Sequence, residues 1–103
     1  MLHIINQSGA ANTTLESLLR IVQAGPAEGT AVLLIEDAVY AATTGNRAAT
    51  ALGAAMDQVG IYALGPDLEA RGVADRLLDG VTTVDYGGFV DLVVEHRNCQ
   101  SWL

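Results

Sequence analysis

The sequence predicts an α/β domain of three layers, in which a mostly parallel β-sheet is flanked by helices. Three observations carry that prediction. Four short segments rich in β-branched and aliphatic residues alternate with longer segments of helical character, the pattern that builds a parallel sheet beneath crossover helices. The length of 103 residues suits a single core. Half of the residues are hydrophobic and only 17% are charged, against about 25% in ordinary soluble domains, so apolar surface is expected to remain for partner subunits after folding.

The first expected strand runs from Leu2 to Asn6. After it, Leu15, Leu18, Leu19 and Val22 recur at helical spacing, with Asn12 or Thr13 available as a cap and Gly25-Pro26 as a stop. The second strand spans Thr30 to Ile35, and Asp37 is placed to cap a helix from Ala38 to about Thr43. Gly45-Asn46 interrupts, and an alanine-rich helix is expected from Arg47 to about Met56. Its alanines at 48, 49, 51, 54 and 55 have little side chain to bury, so the helix either packs closely on the sheet or offers a flat contact to another subunit.

The third strand, Gly60 to Leu64, leads into Gly65-Pro66-Asp67. Proline there suits a first helical position, Asp67 and Glu69 favour the positive end of the helix, and Gly72 marks its end. A short turn with Leu77 and Leu78 precedes the fourth strand, Val81 to Asp85. Asp85 is then expected to cap a last helix whose Phe89, Val90, Leu92 and Val93 supply apolar contacts. The tail from Arg97 to Leu103 is assigned to no element.

Charge and composition exclude several functions. Twelve acidic residues face five arginines and no lysine, a net charge of -7 that repels phosphate backbones and anionic lipid heads. Direct nucleic-acid binding is therefore disfavoured. Without lysine there is no Schiff-base or pyridoxal-phosphate chemistry and no Walker-type phosphate loop, and no cofactor is expected. The first residues lack the basic and apolar segments of a secretory signal, and no apolar run approaches the ~18 residues needed to span a membrane. One cysteine cannot form an internal disulfide or a zinc framework, which suits a reducing cytoplasm.

Cys99 is the one strongly nucleophilic side chain, with His96 three residues before it. If the last helix continued that far the two would share a face, where an imidazolium would favour a thiolate or persulfide. The plainer reading is an inert thiol packed beneath the tail. Glu36 and Asp37 lie at the carboxyl end of the second strand, the edge where open α/β sheets place binding groups. Two carboxylates there suit acid–base work, but fold support is the simpler role, with Asp37 as a cap and Asn46-Arg47 as a pairing partner nearby.

Gln7-Ser8-Gly9 reads as a plain turn rather than an anion site, because no GxGxxG pattern is present. Close approach to a neighbour would explain the glycines of Tyr86-Gly87-Gly88. His3, inside the first strand, is expected to be hydrogen-bonded and partly buried rather than a metal ligand, and no metal site is expected. Trp102 is expected to dock, either over its own sheet or between subunits.

Taken together, Met1-Leu2-His3, the block Leu33-Leu34-Ile35-Glu36-Asp37 running to Gly45-Asn46-Arg47, and Tyr62-Ala63-Leu64 with Asp67-Leu68-Glu69-Ala70-Arg71-Gly72 resemble the DsrH/TusB family. Val84-Asp85-Tyr86, Phe89-Val90, His96 and Trp102 continue the match over nearly the whole chain. The resemblance implies one Rossmann-like, DsrE/F/H-like domain over residues 1–103, serving as a subunit of a heterohexameric sulfur-relay complex. It further implies DsrE/TusD-like and DsrF/TusC-like partner subunits and a small DsrC/TusE-like sulfur carrier. One branch of such complexes serves 2-thiouridine formation at the tRNA wobble position, and the other works with dissimilatory sulfite reductase in sulfur oxidation.

In both branches the resemblance implies that the principal sulfur-carrying cysteine belongs to a partner, leaving this chain mainly architectural. Some members of the sulfur-oxidising branch carry a cysteine in the first helix, but Thr14-Leu15-Glu16-Ser17-Leu18-Leu19-Arg20 has none. The expectation is an accessory subunit of a cytoplasmic sulfurtransferase complex, with Cys99 a candidate persulfide site and His96 its support. Two alternatives stay open: a stand-alone enzyme or small-molecule-binding domain using the Glu36, Asp37 and Asp67 edge, and a structural homo-oligomer.

Overall fold

The computed structural model describes residues 1–6, 20, 29–44, 48–56, 58–96 and 98–102. Apart from Arg20, which is helical, the expected helix around Leu15 to Val22, with its cap and stop, lies outside the described residues, as do Gln7-Ser8-Gly9, Gly45-Asn46 and Arg47. The described strands are β1 (Leu2–Ile5), β2 (Ala31–Leu34), β3 (Gly60–Leu64), β4 (Thr82–Val84) and β5 (Cys99–Trp102). They form one sheet in the order β4-β3-β2-β1-β5, and every pairing is parallel. The described helices are α1 (Ala48–Ala55), α2 (Gly65–Ala70) and α3 (Tyr86–Glu95), with 3₁₀ segments at Glu36–Ala42 and Ala74–Arg76.

β2 lies at the centre of the sheet and is buried along its whole length, as a parallel strand covered on both faces must be. Alternate residues serve two separate cores. Ile5, Val32, Leu34, Ile61 and Ala63 face a core completed by Val39, Leu52, Ala55 and Leu68 from the 3₁₀ segment, α1 and α2. Leu2, Ile4, Ala31 and Leu33 face a smaller core with Leu92 and the partly buried Phe89 of α3.

Topology explains the division. From β1 to β4 the sheet grows in one direction, whereas the step from β4 to β5 returns across it to the far side of β1. Parallel crossovers are right-handed, so reversing the direction of growth puts the connecting helix, α3, on the opposite face.

The structure corrects the tail. Residues Cys99–Trp102 form edge strand β5, paired in register with Leu2–Ile5, and Leu2 N–H donates to Asn98 O at 2.9 Å. Cys-Gln-Ser-Trp holds no β-branched residue, so the strand arises from the ladder offered by β1 and not from local propensity. A second correction concerns Asp37. The expected helix is a 3₁₀ segment that begins two residues earlier, at Glu36, and the residue preceding it, Ile35, is extended and makes no side-chain cap bond. Asp37 lies inside the first turn and is not its cap.

Elsewhere local chemistry acts as expected. Asp85 caps α3 by accepting Gly88 N–H at 2.7 Å, and a Cβ on Gly88 would come within 2.9 Å of Val84 Cβ, so the helix starts where only glycine fits. Pro66 stands in the first turn of α2. That helix ends in a Schellman motif: Val73 N–H donates to Leu68 O at 3.1 Å and Gly72 N–H to Glu69 O at 3.0 Å, with Gly72 at φ 67°. Leu68 and Val73, the apolar pair that accompanies the motif, are both buried in the larger core. α1 buries Leu52 and Ala55 against the sheet and leaves Gly53 and Ala54 exposed.

Candidate functional site

The carboxyl edge of the sheet gathers Glu36 and Asp37 after β2 with Asp67 and Arg71 from α2. At Glu36 the backbone turns out of the strand through φ 50°, an uncommon conformation for a residue bearing a Cβ. The turn is held from outside: Glu36 N–H donates to Asp67 Oδ2 at 2.6 Å. One helical turn beyond Asp67, Arg71 reaches back with Nε 3.0 Å and Nη2 2.9 Å from Asp37 Oδ1. Its Nη1 lies 3.7 Å from Asp67 Oδ1 and donates to Asp67 O at 3.4 Å. Arg71 thus ties the 3₁₀ segment after β2 to the helix after β3.

Three of the residues expected at this edge, Glu36, Asp37 and Asp67, are therefore brought together, and the bonds of Asp37 and Asp67 hold one turn against another. Asp37 takes Arg71 as its partner. Arg71 went unremarked in the sequence as a functional residue, although its four-residue spacing from Asp67 is the signature of a helical ion pair. Asp37 is 63% exposed, so its pair with Arg71 is a solvated one and contributes at most ~1 kcal/mol.

Cys99 and His96 do not share a helical face. α3 ends at Glu95, His96 is extended at φ -104° and ψ 126°, and the chain has entered β5 by Cys99. The His96 ring turns back along the helix, with Nδ1 2.7 Å from Leu92 O. A carbonyl only accepts, so Nδ1 carries the proton and the ring serves the helix terminus, satisfying one of its last carbonyls. Cys99 is exposed and stands in register with Leu2 on the outermost strand, on the sheet face that α3 covers. Trp102 pairs through its backbone with Ile5, and its side chain lies outside the described residues.

His3 occupies the other face of β1, in register with Val32 and Gln100, and is half-buried. Burial, and next the nearby N-terminal charge, lower its pKa from the usual 6.5. Among the described residues, no three His, Cys, Asp or Glu side chains converge in a way that would hold a metal ion. Nor is any helix among them long and apolar enough to cross a membrane.

α3 departs from expectation on its outer side. Of the residues expected to supply apolar contacts, Leu92 is buried and Phe89 partly so, but Val90 and Val93 turn outward and are 58% and 36% exposed. Tyr86 and Val94 stand beside them at 63% and 78%. Sequence pattern alone did not separate these residues, because an almost continuous apolar run offers more than one face to the sheet.

Comparison with known proteins places this geometry. The family described as "DsrH like protein" matches residues 7–99. Protein TusB of Salmonella enteritidis and Protein TusB of Salmonella typhimurium are each 37% identical over 102 residues, covering 99% of this chain and 100% of the relative. Among solved structures, the ychN protein from E. coli superposes with a TM-score of 0.77 at 16% identity, covering 98% of this chain and 97% of its own. A protein of unknown function from Methanobacterium thermoautotrophicum gives 0.76 at 20% identity, covering 98% and 96%. At these identities the structural likeness is one of fold.

Proposed function

Because the chain belongs to the DsrH family, we propose that it is an accessory subunit of a cytoplasmic sulfur-relay complex that passes persulfide sulfur to a small carrier protein. The observation that carries this reading is the match to Protein TusB over the full length of both chains. The same match favours the tRNA branch, 2-thiouridine formation, over sulfur oxidation. The proposed partners are DsrE/TusD-like and DsrF/TusC-like subunits, with a DsrC/TusE-like protein receiving the sulfur.

Two features of the chain support an accessory role. His96 is committed to the end of α3, and the carboxyl-edge residues Asp37, Asp67 and Arg71 bind one another across two turns. Cys99 is this chain's candidate persulfide site, because it is the one cysteine and is exposed.

The test is reconstitution. The chain is coexpressed with its companion subunits, the native mass of the complex is measured, and labelled sulfur is followed from a persulfide donor to the carrier. Delivery that needs this chain and persists in Cys99→Ser supports an accessory subunit. Delivery lost in Cys99→Ser, with the complex intact, assigns a transient persulfide to Cys99. A chain that joins no complex overturns the proposal.

A further inference from the structure

The outer face of α3 is divided lengthwise. Tyr86, Val90 and Val94 follow one another at four-residue spacing with Val93 beside them, making an apolar stripe on the solvent side of a helix whose inner side, Leu92 and Phe89, already meets the sheet. Asp91 and Glu95, also four residues apart and both exposed, run along one border of that stripe. The helix has no Lys or Arg to balance them. Isolated exposed valines are ordinary, but three in two turns with a tyrosine make a contiguous patch of the kind that marks an interaction surface.

Charge decides between occupants. A second copy packing antiparallel about a two-fold axis would set the Asp91/Glu95 border of one helix against the same border of the other, within molecules that each carry a net charge of -7. A partner with an apolar strip edged by Arg or Lys meets both halves of the face at once. We propose that the outer face of α3 docks a companion protein subunit bearing an apolar strip bordered by Arg or Lys. This rests on the relay-subunit reading and says which surface and which partner chemistry serve it.

The test uses the full chain coexpressed with its companion subunits. Val90→Glu with Val94→Glu places charge on the stripe, and Asp91→Arg with Glu95→Arg reverses the border. All four positions are exposed, so thermal unfolding of both variants should stay close to wild type. The expected result is a loss of affinity for the companion subunits of at least ~10-fold in each variant. Wild-type affinity should also fall as salt is raised.

Variants that join the complex with unchanged affinity would overturn the docking surface while leaving the relay reading in place. Self-association of the wild type that Val94→Glu abolishes would overturn the assigned partner in favour of a second copy. A wild-type chain that binds no companion subunit would overturn the relay reading, and the docking proposal with it.

Discussion

Asp67 and Glu36 are joined at 2.6 Å, the carboxylate of one accepting the backbone N–H of the other across 31 positions of sequence. The bond meets the chain at an uncommon backbone conformation, φ 50°, and it leaves from the first turn of α2.

Removing that acceptor should be costly for so small a change. Asp67→Ala is expected to destabilise the protein by about 1.5–3 kcal/mol, the range for a hydrogen bond to a charged group. Arg71→Ala, which breaks a solvated pair, should cost less than ~1 kcal/mol. Urea midpoints at unchanged slope measure both, and equal losses would show that Asp67 acts only through Arg71.

Gly72 holds the left-handed position of the Schellman motif at φ 67°, and among the described residues nothing beyond its chain neighbours lies within 4 Å of a Cβ built there. Gly72→Ala should therefore lose about 1 kcal/mol through backbone conformation alone, with no clash involved. Gly72→Asn should lose less, because asparagine tolerates this conformation. Thermal unfolding of the two variants side by side checks the order.

His3 makes stability depend on pH in a defined direction. Its folded pKa is depressed below 6.5, so as pH falls through that value the unfolded chain takes up a proton that the folded chain still refuses. The contribution of His3 is complete above about pH 6.5, declines as pH drops, and levels off below the folded pKa. Replacing His3 with Gln should flatten the decline, as measured by urea midpoints between pH 5 and 8. An equal slope in both proteins would assign the dependence to other groups.

The sequence was most legible where local chemistry decides. Pro66, Gly72 and Asp85 act through their own backbone or within a few residues, so the start and stop of α2 and the cap of α3 were visible before any fold was known. β5 was hidden for the opposite reason, because its partner strand lies at the other end of the sequence. The candidate site divides in the same way. The expectation for Asp37 rested on its neighbours in sequence, but its bond is to Arg71, 34 positions away. The sharing of a helix by His96 and Cys99 depended on where α3 stops, and the chain had to turn there to reach the far edge of the sheet.

The parallel pairing of β1 with β5 also sets an order of events in time. β1 finds its outer neighbour only after β2, β3 and β4 have been made, and the loop closed by that ladder runs from Leu2 to Cys99. Until then one side of β1 has a row of unanswered amides and carbonyls. Closing so large a loop is entropically slow, so docking of β5 is a natural late step in folding. A nascent chain stalled short of Cys99 would carry an open sheet edge, a template for joining other chains.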